Sequence, residues 1–265
     1  MRSENVQDTP CGEPKLSGTN ASASHHRLGT PEWVEEVFST PPVRDTKGRS
    51  KHTQHHDVPS LDRTTFNPAE GYEYVPVIML DLLLEWKKIS RWKAQPFKTD
   101  VEQFGSSIFP DFLVEIADTK EVVIVEMKSA KYLTRQKQRE LETIRSDFHE
   151  AGLRYIVWTD RHPLCHPLRH HLVRMRIAES DEEHIDGLVK WVRETPHPTF
   201  SGLYDAGYGI NDLYAATWKK RVFFAITKLL TEMSLISLSP VEDIDAMFLG
   251  SGVRADSWWH DLESW

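Results

Sequence analysis

The chain has 265 residues, 39% of them hydrophobic, and a formal net charge of −8, which suffices for one large domain or two small ones with a proper core. Because non-specific affinity for nucleic acid is mainly phosphate neutralisation, that acidic balance argues against tight general nucleic-acid binding by the whole surface. Two distant cysteines, Cys11 and Cys165, argue against a disulfide framework, no run approaches a membrane span, and residues 1–20 lack a signal-peptide core, so the expected setting is a reducing, cytoplasmic compartment.

Residues 1–65 are rich in Ser, Thr, Pro, Gly and His with almost no apolar periodicity, which predicts a disordered arm carrying one short helix near Pro31–Phe38 as a docking element. From residue 66 the pattern changes. The run ending LLLEW at 82–86 predicts an amphipathic helix with Pro76 in its first turn, and ISRWKAQPF at 89–97 predicts a strand. Residues 107–117 and 121–128, rich in Val, Ile, Leu and Phe and parted by Ala117-Asp118-Thr119-Lys120, predict an antiparallel hairpin. Leu141, Ile144, Phe148 and Ala151 recur at helical spacing between Thr134 and Gly152, and RYIVWTD at 154–160 predicts a further strand.

The stretch 161–184 changes character again and is expected to be a basic connector. Zinc binding by His162, Cys165, His166, His170 and His171 is the alternative, weakened by two prolines and the lack of a CxxC partner. From 185 to 265 the pattern predicts a second unit with an amphipathic helix at IDGLVKWV, a long helix over Asn211–Met233, and short extended pieces at 234–238 and 246–249. Lys219-Lys220-Arg221 are candidates for phosphate contacts. The acidic, aromatic tail DSWWHDLESW suits a partner surface.

The chemistry concentrates in the hairpin, where Pro110-Asp111 lies fifteen positions ahead of Glu126-Met127-Lys128. Side chains alternate along a strand, so Glu126 and Lys128 project together while Met127 turns into apolar packing. Asp111, Glu126 and the backbone carbonyl of Met127 would offer the hard oxygen ligands that Mg²⁺ takes, with Mn²⁺ as a substitute. Lys128 would act as a point charge on the phosphate or the attacking water. Val122-Val-Ile-Val125 reads as a strand buried on both faces that ends in two ionisable groups, and such charges are costly unless used. Lys131, Arg135, Lys137 and Arg139 follow directly. A cationic first turn opposes the helix dipole, so helix stability does not account for them; contacts to a DNA backbone near the metal would, and a solvated basic face is the alternative.

Order and spacing over about residues 66–160 resemble the PD-(D/E)xK nuclease superfamily, and within it the TnsA-like endonucleases of heteromeric transposons, through LLLEW, Gln95-Pro96-Phe97, FPDFLVEI, VVIVEMKSA and RYIVWTD. The resemblance implies an α/β, restriction-endonuclease-like core with a mixed central sheet, and a mostly helical, winged-helix-like C-terminal domain. It also implies Asp111 and Glu126 as metal ligands, Lys128 as the catalytic lysine, and a further carboxylate on the first helix. Glu73 is the candidate for that position and Asp81 the runner-up. The activity implied is Mg²⁺-dependent cleavage of the 5′ strand at transposon ends in double-stranded DNA, beside a DDE transposase and an AAA+ regulator. A stand-alone restriction or repair endonuclease, and a non-cutting adaptor, are the alternatives.

Overall fold

The computed structural model describes residues 26–41, 74–101, 106–161 and 163–249. Its centre is a four-stranded mixed sheet of β1 (Ile89–Ala94), β4 (Phe112–Ile116), β5 (Val122–Lys128) and β6 (Arg154–Thr159), in the order β1-β4-β5-β6. β4 runs antiparallel to both neighbours, and β5 and β6 are parallel. The expected hairpin is therefore present, but it starts later than its apolar run. Ser106–Ile108 forms β3 and pairs with β2 (Thr99–Val101) in a separate two-stranded sheet. Pro110, which has no N–H to give a ladder, separates β3 from β4.

Helices cover both faces. On one, α1 (Pro31–Ser39) and α3 (Arg135–Glu150) bury Trp33, Val34, Val37, Leu141, Ile144 and Phe148 against Leu113, Ile124, Tyr155 and Val157. The helix expected near Pro31–Phe38 is thus built into the fold. Thr30 caps its start and accepts from the Trp33 amide at 3.3 Å, with Pro31 in the first turn. At its other end the Lys93 ammonium of β1 donates to the backbone carbonyls of Val37 and Thr40. Arg91 joins Glu35 of α1 to Glu115 of β4.

On the opposite face lies α2 (Tyr74–Glu85), packed on Trp92, Phe112, Val114, Val123 and Val125. Amphipathic character was the expectation, yet Val75, Val77 to Leu80, Leu82 and Leu83 are all buried. The outer side of α2 is covered by the rest of the chain, and a helix enclosed all round carries apolar residues all round. The stretch 161–184, expected as a connector, contains α4 (His166–Ile177), whose Leu168, Leu172 and Met175 enter the same core. Beyond it come α5 (Glu182–Glu194), α6 (Phe200–Asp205) and α7 (Ile210–Trp218). The Trp86 indole donates to the carbonyls of Thr217 at 3.1 Å and Trp218 at 3.0 Å, and the Trp158 indole to Phe248 at 3.1 Å. One apolar cluster consequently runs from α2 through the sheet to Leu249.

Two C-terminal expectations are corrected. The helix expected over 211–233 ends at Trp218, because Lys220 takes a positive φ of 58° and the chain then buries Val222, Phe223 and Phe224 in succession, which no single helix face allows. Its basic triplet is used internally: Lys219 pairs with Glu182, Arg221 with Asp186, and Lys220 donates to the Trp86 carbonyl. Of the two extended pieces, the first appears as isolated bridges, Thr199 to Leu235 and Phe223 to Ser237, and the second is a π-helical turn at Asp245–Leu249. No helix among the described residues is long and apolar enough to cross a membrane.

Candidate functional site

The C-terminal end of β5 and the N-terminal end of β4 meet at one rim of the sheet. Gln95, held at a positive φ of 46°, donates its amide to the Asp111 carbonyl at 2.8 Å, which fixes the entry to β4. Asp111 Oδ2 in turn accepts from the Met127 amide at 2.6 Å. This bond joins the two motif halves across the hairpin. Met127 packs towards the α2 side, while Glu126 shares the α3 side with Ile124, as strand alternation requires. Lys128 Nζ pairs with Glu126 Oε1. Asp111, Glu126 and Lys128 are thus brought together as their spacing predicts.

Glu126 is buried, and its Oε2 has no hydrogen-bond partner among the described residues. Burial, reinforced by the neighbouring Asp111 charge and opposed by Lys128, raises its carboxyl from the ordinary range to about 7. A carboxylate oxygen enclosed without a donor is a costly arrangement in the metal-free protein. A divalent cation would remove that cost, and two carboxylates suffice for Mg²⁺, which retains several waters. The donor set therefore fits a hard cation, although no group of three or more His, Cys, Asp or Glu that would hold a metal is found among the described residues. Glu73 lies outside the described residues. The runner-up Asp81 sits mid-helix on α2, where it pairs with Arg176 of α4 in the opposite layer.

Two residues that the spacing did not single out complete the rim. Tyr155 of β6 is registered beside Ile124, one pleat below Glu126 on the same face, and its ring stacks on Phe148 at 5.5 Å. Its hydroxyl is buried without a hydrogen-bond partner among the described residues. Burial first, then the charges of Glu126 and Asp111, holds its phenol well above the usual range. Asp160, just past β6, accepts from the Ala130 amide at 2.8 Å and the Ser129 hydroxyl at 3.2 Å, and so fixes the turn that leaves Lys128. The only sequence signal for either was membership of RYIVWTD; their partners lie 31 and 30 positions away or across a helix.

Among the basic residues, Lys131, Arg135 and Arg139 are exposed around the start of α3, whereas Lys137 pairs with Glu140 at 2.8 Å and also lies close enough to Glu126 to oppose the rise of its pKa. Of the residues weighed for zinc, Cys165 faces the Thr227 carbonyl at 3.5 Å. The His171 ring lies between the Tyr214 hydroxyl at 3.0 Å and the Lys228 carbonyl at 2.8 Å. Since a carbonyl only accepts, Nε2 carries the proton and Nδ1 accepts from Tyr214. His162 lies outside the described residues.

No protein-family model matches the chain, and no curated protein matches it.

Proposed function

We propose that the chain is a Mg²⁺-dependent endodeoxyribonuclease with a restriction-endonuclease-like core, of the TnsA-like kind, acting as the 5′-strand-cutting subunit of a heteromeric transposase. The observation that carries this reading is the convergence at one sheet rim of Asp111, Lys128 and a buried Glu126, one of whose oxygens has no hydrogen-bond partner among the described residues. The sheet order β1-β4-β5-β6 with only its second strand antiparallel to the rest, and helices on both faces, supports the proposed core. A winged-helix-like C-terminal module and binding of a DDE transposase or an AAA+ regulator belong to the same proposal.

Asp111 and Glu126 would hold the cation, which supplies Lewis-acid polarisation of the phosphate and a more acidic water. Lys128 stands beside Glu126 and would offset charge on the scissile phosphate. The Met127 amide keeps Asp111 aimed at the rim. Asp160 holds the backbone immediately after Lys128.

Asp111→Ala and Lys128→Ala are expected to lower 5′ cleavage by on the order of 10³ or more, the size of losing several kcal/mol of transition-state stabilisation, while 3′ joining by the partner continues. Wild-type cleavage in either variant would overturn the assignment. Cutting by the purified chain without a second subunit would favour a stand-alone nuclease.

A further inference from the structure

The stretch Arg161–Ile177 contains four arginines, four histidines and no acidic residue, in a chain of net charge −8. The structure divides it by helical period. Leu168, His171, Leu172 and Met175 of α4 point into the core, and Arg176 turns inward to Asp81. His166, Arg169, His170, Val173, Arg174 and Ile177 line one open groove that begins at Val75, at the start of α2. His166, His170 and Arg174 are exposed.

α4, whose outer face forms this groove, follows the strand that ends at the rim carrying Asp111, Glu126 and Lys128. β6 pairs in parallel with β5 so that Thr159 stands beside Lys128, and α4 starts seven residues after Thr159. α4 packs on the α2 face of the sheet and α3 on the other. On the α3 side the rim is thus followed by Lys131, Arg135 and Arg139, and on the α2 side the chain that leaves the rim leads into α4 and its groove. A duplex laid across the rim to present a phosphate to Asp111 and Glu126 meets both sets, whereas the α3 set alone would hold it from one side.

We infer that the outer face of α4 is a second DNA-backbone contact, with Arg174, Arg169, His170 and His166 taking phosphates on the side of the active-site rim opposite α3. This rests on the nuclease reading for its choice of partner. The groove's lining carries Arg169 and Arg174 with two histidines and no acidic side chain, which matches a polyanion. Val173 and Ile177 add an apolar part to the groove's lining, and a protein partner is the competing occupant.

The test is binding of a short random-sequence DNA duplex by the full chain in EDTA, followed by fluorescence anisotropy over a salt titration. Arg174→Gln with His170→Gln, both exposed, is paired with a separate Arg169→Gln variant, and thermal melts confirm folding. Each lost phosphate contact is expected to reduce the slope of log affinity against log salt by about 0.9, equally for all sequences, and to weaken binding at low salt several-fold. An Asp111→Asn control is expected to lose cleavage and keep the slope. An unchanged slope in folded Arg174→Gln/His170→Gln protein would overturn the inference and leave the face to a protein partner, with cleavage intact. Sensitive binding without any cutting by the transposase complex would instead sink the nuclease reading alone.

Discussion

Glu126 is the residue in which the cost and the use of the site are most visible. Its carboxyl is raised by burial to about 7, against an ordinary value of 4.5, so the folded metal-free protein holds a proton that the unfolded chain has released between those values. Stability must then fall as pH rises from about 4.5 through 7, and above 7 the full penalty of a buried charge is present. Glu126→Gln removes that penalty. The variant is expected to be more stable than wild type by on the order of a few kcal/mol at pH 8 without metal, with the difference vanishing below about pH 4.5. Denaturant titrations with and without Mg²⁺ check this, since added cation should stabilise wild type by mass action and leave the variant unmoved. The pair Asp111 and Glu126 was legible because a motif on two adjacent strands needs only strand alternation and one short turn to become a site. Tyr155 and Asp160 were not, because their roles depend on a parallel pairing across α3 and on a loop contact, neither of which leaves a local pattern.

At the scale of elements, α1 shows how a segment inside a polar arm becomes part of the fold. Trp33 packs on Phe97 with ring centroids 5.0 Å apart, Arg91 ties Glu35 to β4, and Lys93 serves the last carbonyls of the helix. Burial depresses the Lys93 amine from 10.5 to about 8. Between those values the unfolded chain binds the extra proton, so stability should rise with pH across that window. Lys93→Met is expected to lack this rise, which is about 1 to 3 kcal/mol in wild type by the shift, and chemical denaturation at either end of the window measures it. Element boundaries failed where apolar spacing imitated a helix. Val222, Phe223 and Ile226 stand at helix-like intervals after Trp218, yet they fill the core from an irregular chain, and periodicity alone does not distinguish the two. The strand start at Phe112 was also misplaced, since the apolar run before Pro110 pairs in a different sheet.

Across the whole molecule, the C-terminal region and the sheet share one core. Trp86 and Trp158 each donate across to that region, and Leu203, Leu213, Phe223 and Phe248 are buried in the same cluster as α2. Deleting residues from 185 onward is expected to uncover the outer side of α2 at about 1.5 to 3 kcal/mol for each large apolar side chain exposed, and to give a poorly folded product. The intact chain should unfold in a single calorimetric transition, and two separated transitions would show independent domains. The sequence by itself determined the hairpin, the long helix after it, the existence of a strand over RYIVWTD, and the placing of Asp111, Glu126 and Lys128 together, because each is set by local apolar runs, helical spacing and short turns. Only the tertiary structure decided that α2 is enclosed, that α4 turns His166, His170 and Arg174 outward, and that Tyr155 lies beneath Glu126. Those outcomes depend on which surfaces distant segments bury against one another, and burial between layers is not encoded in any local period.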